Sequence, residues 1–111
     1  MTALITRDEL RAALDTGDVV VLDALPASYY EQTHIPGALN LVESDVEALA
    51  STLIPTLSTP VVTYCSNAAC GNSQAVATLL ERAGYTDVRK YRDGIQDWVE
   101  AGLPVESGAR V

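Results

Sequence analysis

Phenylalanine is missing from this 111-residue chain, and tryptophan, methionine and histidine occur once each. Core volume therefore falls to Val, Leu, Ile, Ala and five Tyr. Cations are scarce: seven Lys and Arg stand against fifteen Asp and Glu, a formal net charge of −8. Such a chain repels a phosphate backbone, and with no basic run to offset that, no nucleic-acid partner is expected. No apolar run approaches the ~20 residues that span a bilayer, and Met1-Thr2-Ala3-Leu4-Ile5-Thr6-Arg7-Asp8 lacks the basic start and apolar stretch of a secretory leader. Two cysteines five positions apart cannot form the disulfide framework of a small secreted scaffold. The expectation is a soluble cytoplasmic protein with no membrane contact and both cysteines as thiols. Linkers, repeats and low-complexity segments are also absent, so residues 1–111 are expected to form a single domain.

What is present alternates between two periodicities. Thr6-Arg7-Asp8-Glu9 reads as a capping box. Leu10, Ala13 and Leu14 then mark one helical face, which Gly17 ends. Val19-Val20-Val21-Leu22 is the continuous apolar run of a strand buried on both faces, with Asp23 at its end. Residues 29–32 predict a short helix, and His34-Ile35-Pro36-Gly37-Ala38 a turn into a short strand over 39–41. Ser44-Asp45-Val46-Glu47 reads as a second capping box, followed by Val46, Leu49, Ala50 and Leu53 at helical spacing. Pro55 and Pro60 bracket a loop before the strand 61–64. Val76, Leu79, Leu80 and Ala83 form a helical stripe closed by Gly84 as a left-handed cap. A strand over 88–91 and a short helix over 95–101 follow. Strands alternating with helices predict an α/β fold with a parallel sheet. Ligands bind such sheets beyond the carboxyl ends of the strands.

Cys65 lies at one of those ends, in Val61-Val62-Thr63-Tyr64-Cys65-Ser66-Asn67-Ala68-Ala69-Cys70-Gly71-Asn72-Ser73. A free cysteine is commonly a small buried hydrophobe; what singles this one out is its place before a small-residue loop and a helix. A helix N-terminus carries about half a positive charge and unpaired N–H donors. If residues 65–73 curl around the sulfur, those donors stabilise its anion and lower its pKa from the free value near ~8.5. Ser66, Ala68, Ala69 and Gly71 allow close backbone approach, and Asn72 or Ser73 can cap the helix. The cradle suits a persulfide, an arsenate or a phosphate equally.

Three separated stretches resemble the rhodanese domain family. They are Val20-Val21-Leu22-Asp23 with Thr33-His34-Ile35-Pro36-Gly37-Ala38, then Val62-Thr63-Tyr64-Cys65, then Gly84-Tyr85-Thr86-Asp87-Val88 with Gly94-Ile95-Gln96-Asp97-Trp98 and Ala101-Gly102-Leu103-Pro104-Val105. The resemblance implies a rhodanese-like, five-stranded parallel sheet flanked by helices on both faces. It also implies ping-pong transfer of sulfane sulfur: Cys65 takes sulfur from thiosulfate, a polysulfide or a persulfide and passes it to a thiol acceptor. Residues Ser66, Asn67, Ala68, Ala69, Cys70, Gly71, Asn72 and Ser73 would hold the persulfide, with no metal or organic cofactor. The expected partners are a small-molecule or protein persulfide donor and a thiol acceptor, and the chain is expected as a monomer or weak homodimer.

The chain departs from the family pattern in three places. The usual loop has five residues after the cysteine, often with an Arg, before a Ser or Thr; here seven uncharged residues separate Cys65 from Ser73. That disfavours doubly charged thiosulfate and favours a persulfide or polysulfide donor. The family's Asp-x-Arg is Asp23-Ala24-Leu25, and its Gly before the histidine is Thr33. Cys70 reads either as a candidate resolving thiol, closing a Cys65–Cys70 disulfide, or as a small filler of the loop's inner face. His34 reads as a structural hydrogen-bonding residue, Asp23 as a helix or turn cap, Trp98 as core, and Arg92 as a basic group near the loop's rim. Two other functions compete. Dual-specificity phosphatases and arsenate reductases of similar fold need an Arg six positions after the nucleophile, where this chain has Gly71. A sulfane-sulfur or redox sensor, or an interaction module without rapid turnover, is the non-enzyme alternative.

Overall fold

The fold is that of a computed structural model, which describes residues 2–108. Its strands are β1 (Ala3–Leu4), β2 (Val20–Asp23), β3 (Leu39–Asn40), β4 (Val61–Tyr64) and β5 (Val88–Tyr91). They form one sheet in the order β1-β5-β4-β2-β3, and every pairing is parallel. β4 is the middle strand, so the residue after it emerges at the centre of the sheet's carboxyl edge.

Alternation along β4 divides the core. Val61 and Cys65 pack on one face with Val46, Ala50, Val76, Ala77 and Leu80 of α3 (Val46–Leu53) and α4 (Asn72–Arg82). Val62 and Tyr64 pack on the other with Leu10, Tyr30 and Trp98, from α1 (Arg7–Thr16), α2 (Ala27–Gln32) and α5 (Gly94–Glu100). Helices thus cover both faces, as an apolar run in a parallel sheet requires.

Local signals set several boundaries. At α1 the Thr6 hydroxyl accepts the Glu9 N–H and the Glu9 carboxylate accepts the Thr6 N–H, and Gly17 closes the helix at φ 76°. Ser44 does not repeat this: it lies in a 3-10 turn, Glu43–Asp45, and α3 begins with no side-chain cap. Leu49, expected on the buried face of α3, is 41% exposed. α2 starts two residues earlier than expected, directly after Pro26, whose fixed φ suits a helix entry. No described helix is long and apolar enough to cross a membrane.

Candidate active site

The loop after β4 is tied down along its length. At its root, the Cys65 carbonyl accepts the Ile95 N–H at 2.9 Å and the Ser66 carbonyl accepts the Gln96 N–H at 3.0 Å. The first free amides of α5 therefore clamp the strand end. Asn67 folds the middle: its Oδ1 accepts the Ala69 N–H at 2.9 Å, and its Nδ2 donates to Gln96 Oε1 at 3.1 Å. The Cys70 N–H donates to the Asn67 carbonyl at 3.1 Å, turning the chain back. Ala68 and Ala69 lie exposed on the outer bend. At the far end the Thr63 hydroxyl donates to the Ser73 carbonyl at 3.0 Å, and Asn72 Nδ2 to the Ala24 carbonyl at 3.3 Å.

Gly71 occupies the N-cap of α4, with no side-chain cap. Neither Asn72 nor Ser73 caps the helix as expected, because both side chains are spent elsewhere: Asn72 on the β2 loop, Ser73 on the sulfur of Cys65. The first amides of α4 are divided between the thiols. The Ser73 N–H faces Cys65, and the Asn72 N–H faces Cys70.

Cys65 is 1% exposed. Its thiol lies 3.4 Å from both the Cys70 carbonyl oxygen and Ser73 Oγ. Burial pushes the Cys65 thiol up, the contact with Cys70 adds to this, and the Ser73 hydroxyl and amide offset only part of it. Burial also acts upward on half-buried Cys70, but the neighbouring Cys65 thiol and the Ser66 and Asn72 amides outweigh it. Cys70 therefore lies below the ordinary thiol range. This corrects the expectation that the loop lowers Cys65. The strand end draws Cys65 into the core beside Leu22 and Val76, and the curl of the loop puts most of its donors around Cys70. The two shifts run in opposite directions, up for Cys65 and down for Cys70.

The remaining candidates are structural. Asp23 is fully buried; its Oδ1 accepts the Leu25 N–H at 2.8 Å, the expected turn cap, and its Oδ2 accepts the Tyr64 hydroxyl at 2.9 Å. His34 stacks on Tyr30 at 3.9 Å with its Nδ1 at 2.7 Å from the Tyr30 carbonyl, and its Nε2 lies 3.6 Å from Glu106. Trp98 is core, its indole N–H donating to the Pro104 carbonyl at 2.7 Å. Arg92 lines a hollow with Leu4, Thr6, Arg7 and Asp93. Two positioning features escaped the sequence reading: the α5 clamp with Gly94 at its start, and the Asp23–Tyr64 pair beneath the cysteine. The parallel register of Asp23 with Tyr64 is the signal that joins the latter.

The Rhodanese-like domain family matches residues 6–101. Over 107 residues the chain is 35% identical to the HTH-type transcriptional regulator Rv0324 of Mycobacterium tuberculosis, covering 96% of this chain and 46% of that protein. It thus spans about half the length of that relative. It is 26% identical to the thiosulfate sulfurtransferase GlpE of Actinobacillus succinogenes, over 93% of this chain and 89% of GlpE. In fold it is similar to the BH2092 protein of Bacillus halodurans, with a TM-score of 0.86 at 21% identity, covering 96% of this chain and 77% of that one. This chain belongs to the rhodanese-like domain family.

Proposed function

We propose that the domain is a sulfurtransferase that carries sulfane sulfur on Cys65 as a persulfide, between a persulfide or polysulfide donor and a thiol acceptor. The observation that carries this reading is the placement of Cys65. Its sulfur stands at the carboxyl end of the central strand, against the first-turn amide and hydroxyl of Ser73. A Cys65 thiolate attacks the outer sulfur of the donor, the donor's inner sulfur leaves, and the acceptor thiol later takes the sulfur from Cys65. The loop from Ser66 to Ser73 carries no cation, which favours weakly charged donors over thiosulfate. Gly71, at the position of the phosphatase arginine, has no guanidinium to clamp an oxyanion. The proposed partners are a small-molecule or protein donor and a thiol acceptor, with no role for nucleic acid or membrane. The test is intact-mass analysis after exposure to thiosulfate and, separately, to glutathione persulfide. Wild type should gain one sulfur, more completely from the persulfide; Cys65→Ser should gain none, and Cys70→Ser should keep it. A wild-type mass unchanged by both donors sinks the reading.

The placement of Cys70 on the same curled loop, its carbonyl oxygen 3.4 Å from the Cys65 thiol, favours a second reading, a sulfane-sulfur or redox sensor, and the similarity to a transcriptional regulator accords with it. Here Cys70 is the resolving thiol. Its thiolate attacks the Cys65 persulfide at the Cys65 sulfur, expels hydrosulfide, and leaves a Cys65–Cys70 disulfide. On this reading persulfide-treated wild type ends two hydrogens lighter, while Cys70→Ser alone retains the added sulfur. Peptide mapping that finds only separate Cys65 adducts removes the resolving role.

A further inference from the structure

We propose that the peptide group joining Cys70 to Gly71 turns over when Cys65 loses its proton, exchanging the Cys70 carbonyl at the sulfur for the Gly71 N–H. This rests on Cys65 being the sulfur acceptor, and it makes Gly71 a positioning residue for loading. The Cys65 thiol lies 3.4 Å from two acceptors, the Cys70 carbonyl oxygen and Ser73 Oγ. The two differ once the hydrogen is gone. A hydroxyl rotates and donates to the sulfur, whereas a carbonyl oxygen has nothing to donate. Left in place, it sets its negative end against a thiolate, and against the lone pairs of a persulfide's inner sulfur. Turning the peptide removes that repulsion and adds a donor to an anion.

The surrounding bonds leave this one peptide group free to turn. The Cys70 N–H donates to the Asn67 carbonyl at 3.1 Å, and the Ala75 N–H donates to the Gly71 carbonyl at 3.1 Å. Both bonds belong to the neighbouring peptide groups, which rotation about Cys70 ψ and Gly71 φ leaves where they are. Between them, among the described residues, the Gly71 N–H has no acceptor and the Cys70 carbonyl has no donor but the Cys65 thiol. Gly71 is exposed, so the displaced carbonyl turns toward water. Gly71 rests at φ −91° and ψ −5°, the values of the third residue of a type I turn. Turning the preceding peptide carries its φ to about +80°, as in a type II turn, where that residue must be glycine. Cys70 takes up its share in ψ, at a negative φ where the helical and extended regions are both open.

The chemistry around the turn balances. Cys65–SH releases its proton to water or buffer, the thiolate attacks the outer sulfur of a donor R–S–SH, and Cys65–S–SH and R–S⁻ result. The donor's sulfur–sulfur bond breaks, one forms on Cys65, and no oxidant or reductant is consumed. The inner sulfur of Cys65 carries no hydrogen from the moment the proton leaves. The Gly71 N–H therefore stays in place until the sulfur is handed on and Cys65 is reprotonated.

Gly71→Ala separates the resting loop from the turned one. At the resting φ an alanine fits, and its Cβ meets nothing within 4 Å, so the variant should melt no lower than wild type. In the turned form an L residue is disfavoured, so Cys65 should gain sulfur from glutathione persulfide roughly tenfold more slowly. Gly71→Asn, which tolerates the left-handed region better, should recover part of the rate. Amide hydrogen exchange reads the turn directly. In Cys70→Ser, which keeps the backbone but cannot close the loop disulfide, the Gly71 N–H should exchange roughly tenfold more slowly after loading than before. Gly71→Ala loading at the wild-type rate overturns the proposal. So does a slow Gly71→Ala that melts well below wild type, or a Gly71 amide indifferent to loading. A wild type that takes up no sulfur, or a Cys65→Ser that does, overturns the reading beneath instead, so the two failures are distinguishable.

Discussion

Gly94→Ala is expected to destabilise the domain by roughly 3 kcal/mol or more and to disable sulfur loading. Gly94 adopts φ +69°, and a Cβ built there would stand 2.5 Å from the Cys65 carbonyl oxygen, 2.7 Å from the Ser66 carbonyl carbon and 2.8 Å from the Ser66 oxygen. All three atoms are backbone at the root of the reactive loop, so no flexible side chain can swing aside. Relief requires α5 to withdraw, which breaks the bonds from Ile95 and Gln96, or Cys65 to shift, which carries its sulfur off Ser73. Gly102 supplies the control. It has a similar φ of +75° but nothing within 4 Å of its Cβ position, so Gly102→Ala meets only the left-handed backbone penalty of about 1 kcal/mol. Thermal melts should place Gly94→Ala on the order of 10 °C below wild type, and Gly102→Ala about half as far or less. Equal melting points for the two variants would remove the clash as the cause.

That clamp shows where sequence reading stops. β2, β4 and the ends of α1 were legible because their causes are local: a β-branched run buried on both faces, a Thr–Glu capping box, a left-handed glycine. The 3-10 turn before α3 was not, because Ser44 has the right composition for a cap but the chain from Val42 tightens first, with the Asp45 N–H bonding to the Val42 carbonyl. β1 was missed residue by residue because Ala3 and Leu4 are both exposed and join the sheet through backbone pairing with Arg89 and Lys90. The position of Cys65 could be read from the strand before it. The division of donors between the two thiols could not. It depends on which sulfur meets which amide once Asn67 has folded the loop, and a string of small residues is silent on that.

Asp23→Ala is expected to cost about 2–4 kcal/mol at neutral pH, the sum of two orphaned donors less the relief of a buried charge. The carboxylate is the acceptor for both the Leu25 N–H and the Tyr64 hydroxyl, and Tyr64 in turn accepts the Ile35 N–H at 3.1 Å. Removing Asp23 strands two buried donors beside the strand that ends in Cys65. Tyr64→Phe alone strands the Ile35 N–H and leaves one lobe of the carboxylate without its donor. The double variant should therefore cost less than the two singles added, by about 1 kcal/mol or more in a denaturation cycle. Strict additivity would mean that the pair does not act as a unit. The pH dependence has a definite sign. Burial raises the Asp23 carboxyl above its ordinary 3.8, against the Leu25 and Tyr64 hydrogen bonds that lower it. The folded state then holds this proton more tightly than the unfolded chain, so the carboxyl's contribution is fully present below 3.8 and lost as pH rises through the folded value. The stability gap between wild type and Asp23→Ala should accordingly widen as pH falls from neutral toward the ordinary carboxylate range. A gap that narrows on acidification would mean that the folded carboxyl is held ionised, and that its two hydrogen bonds outweigh its burial.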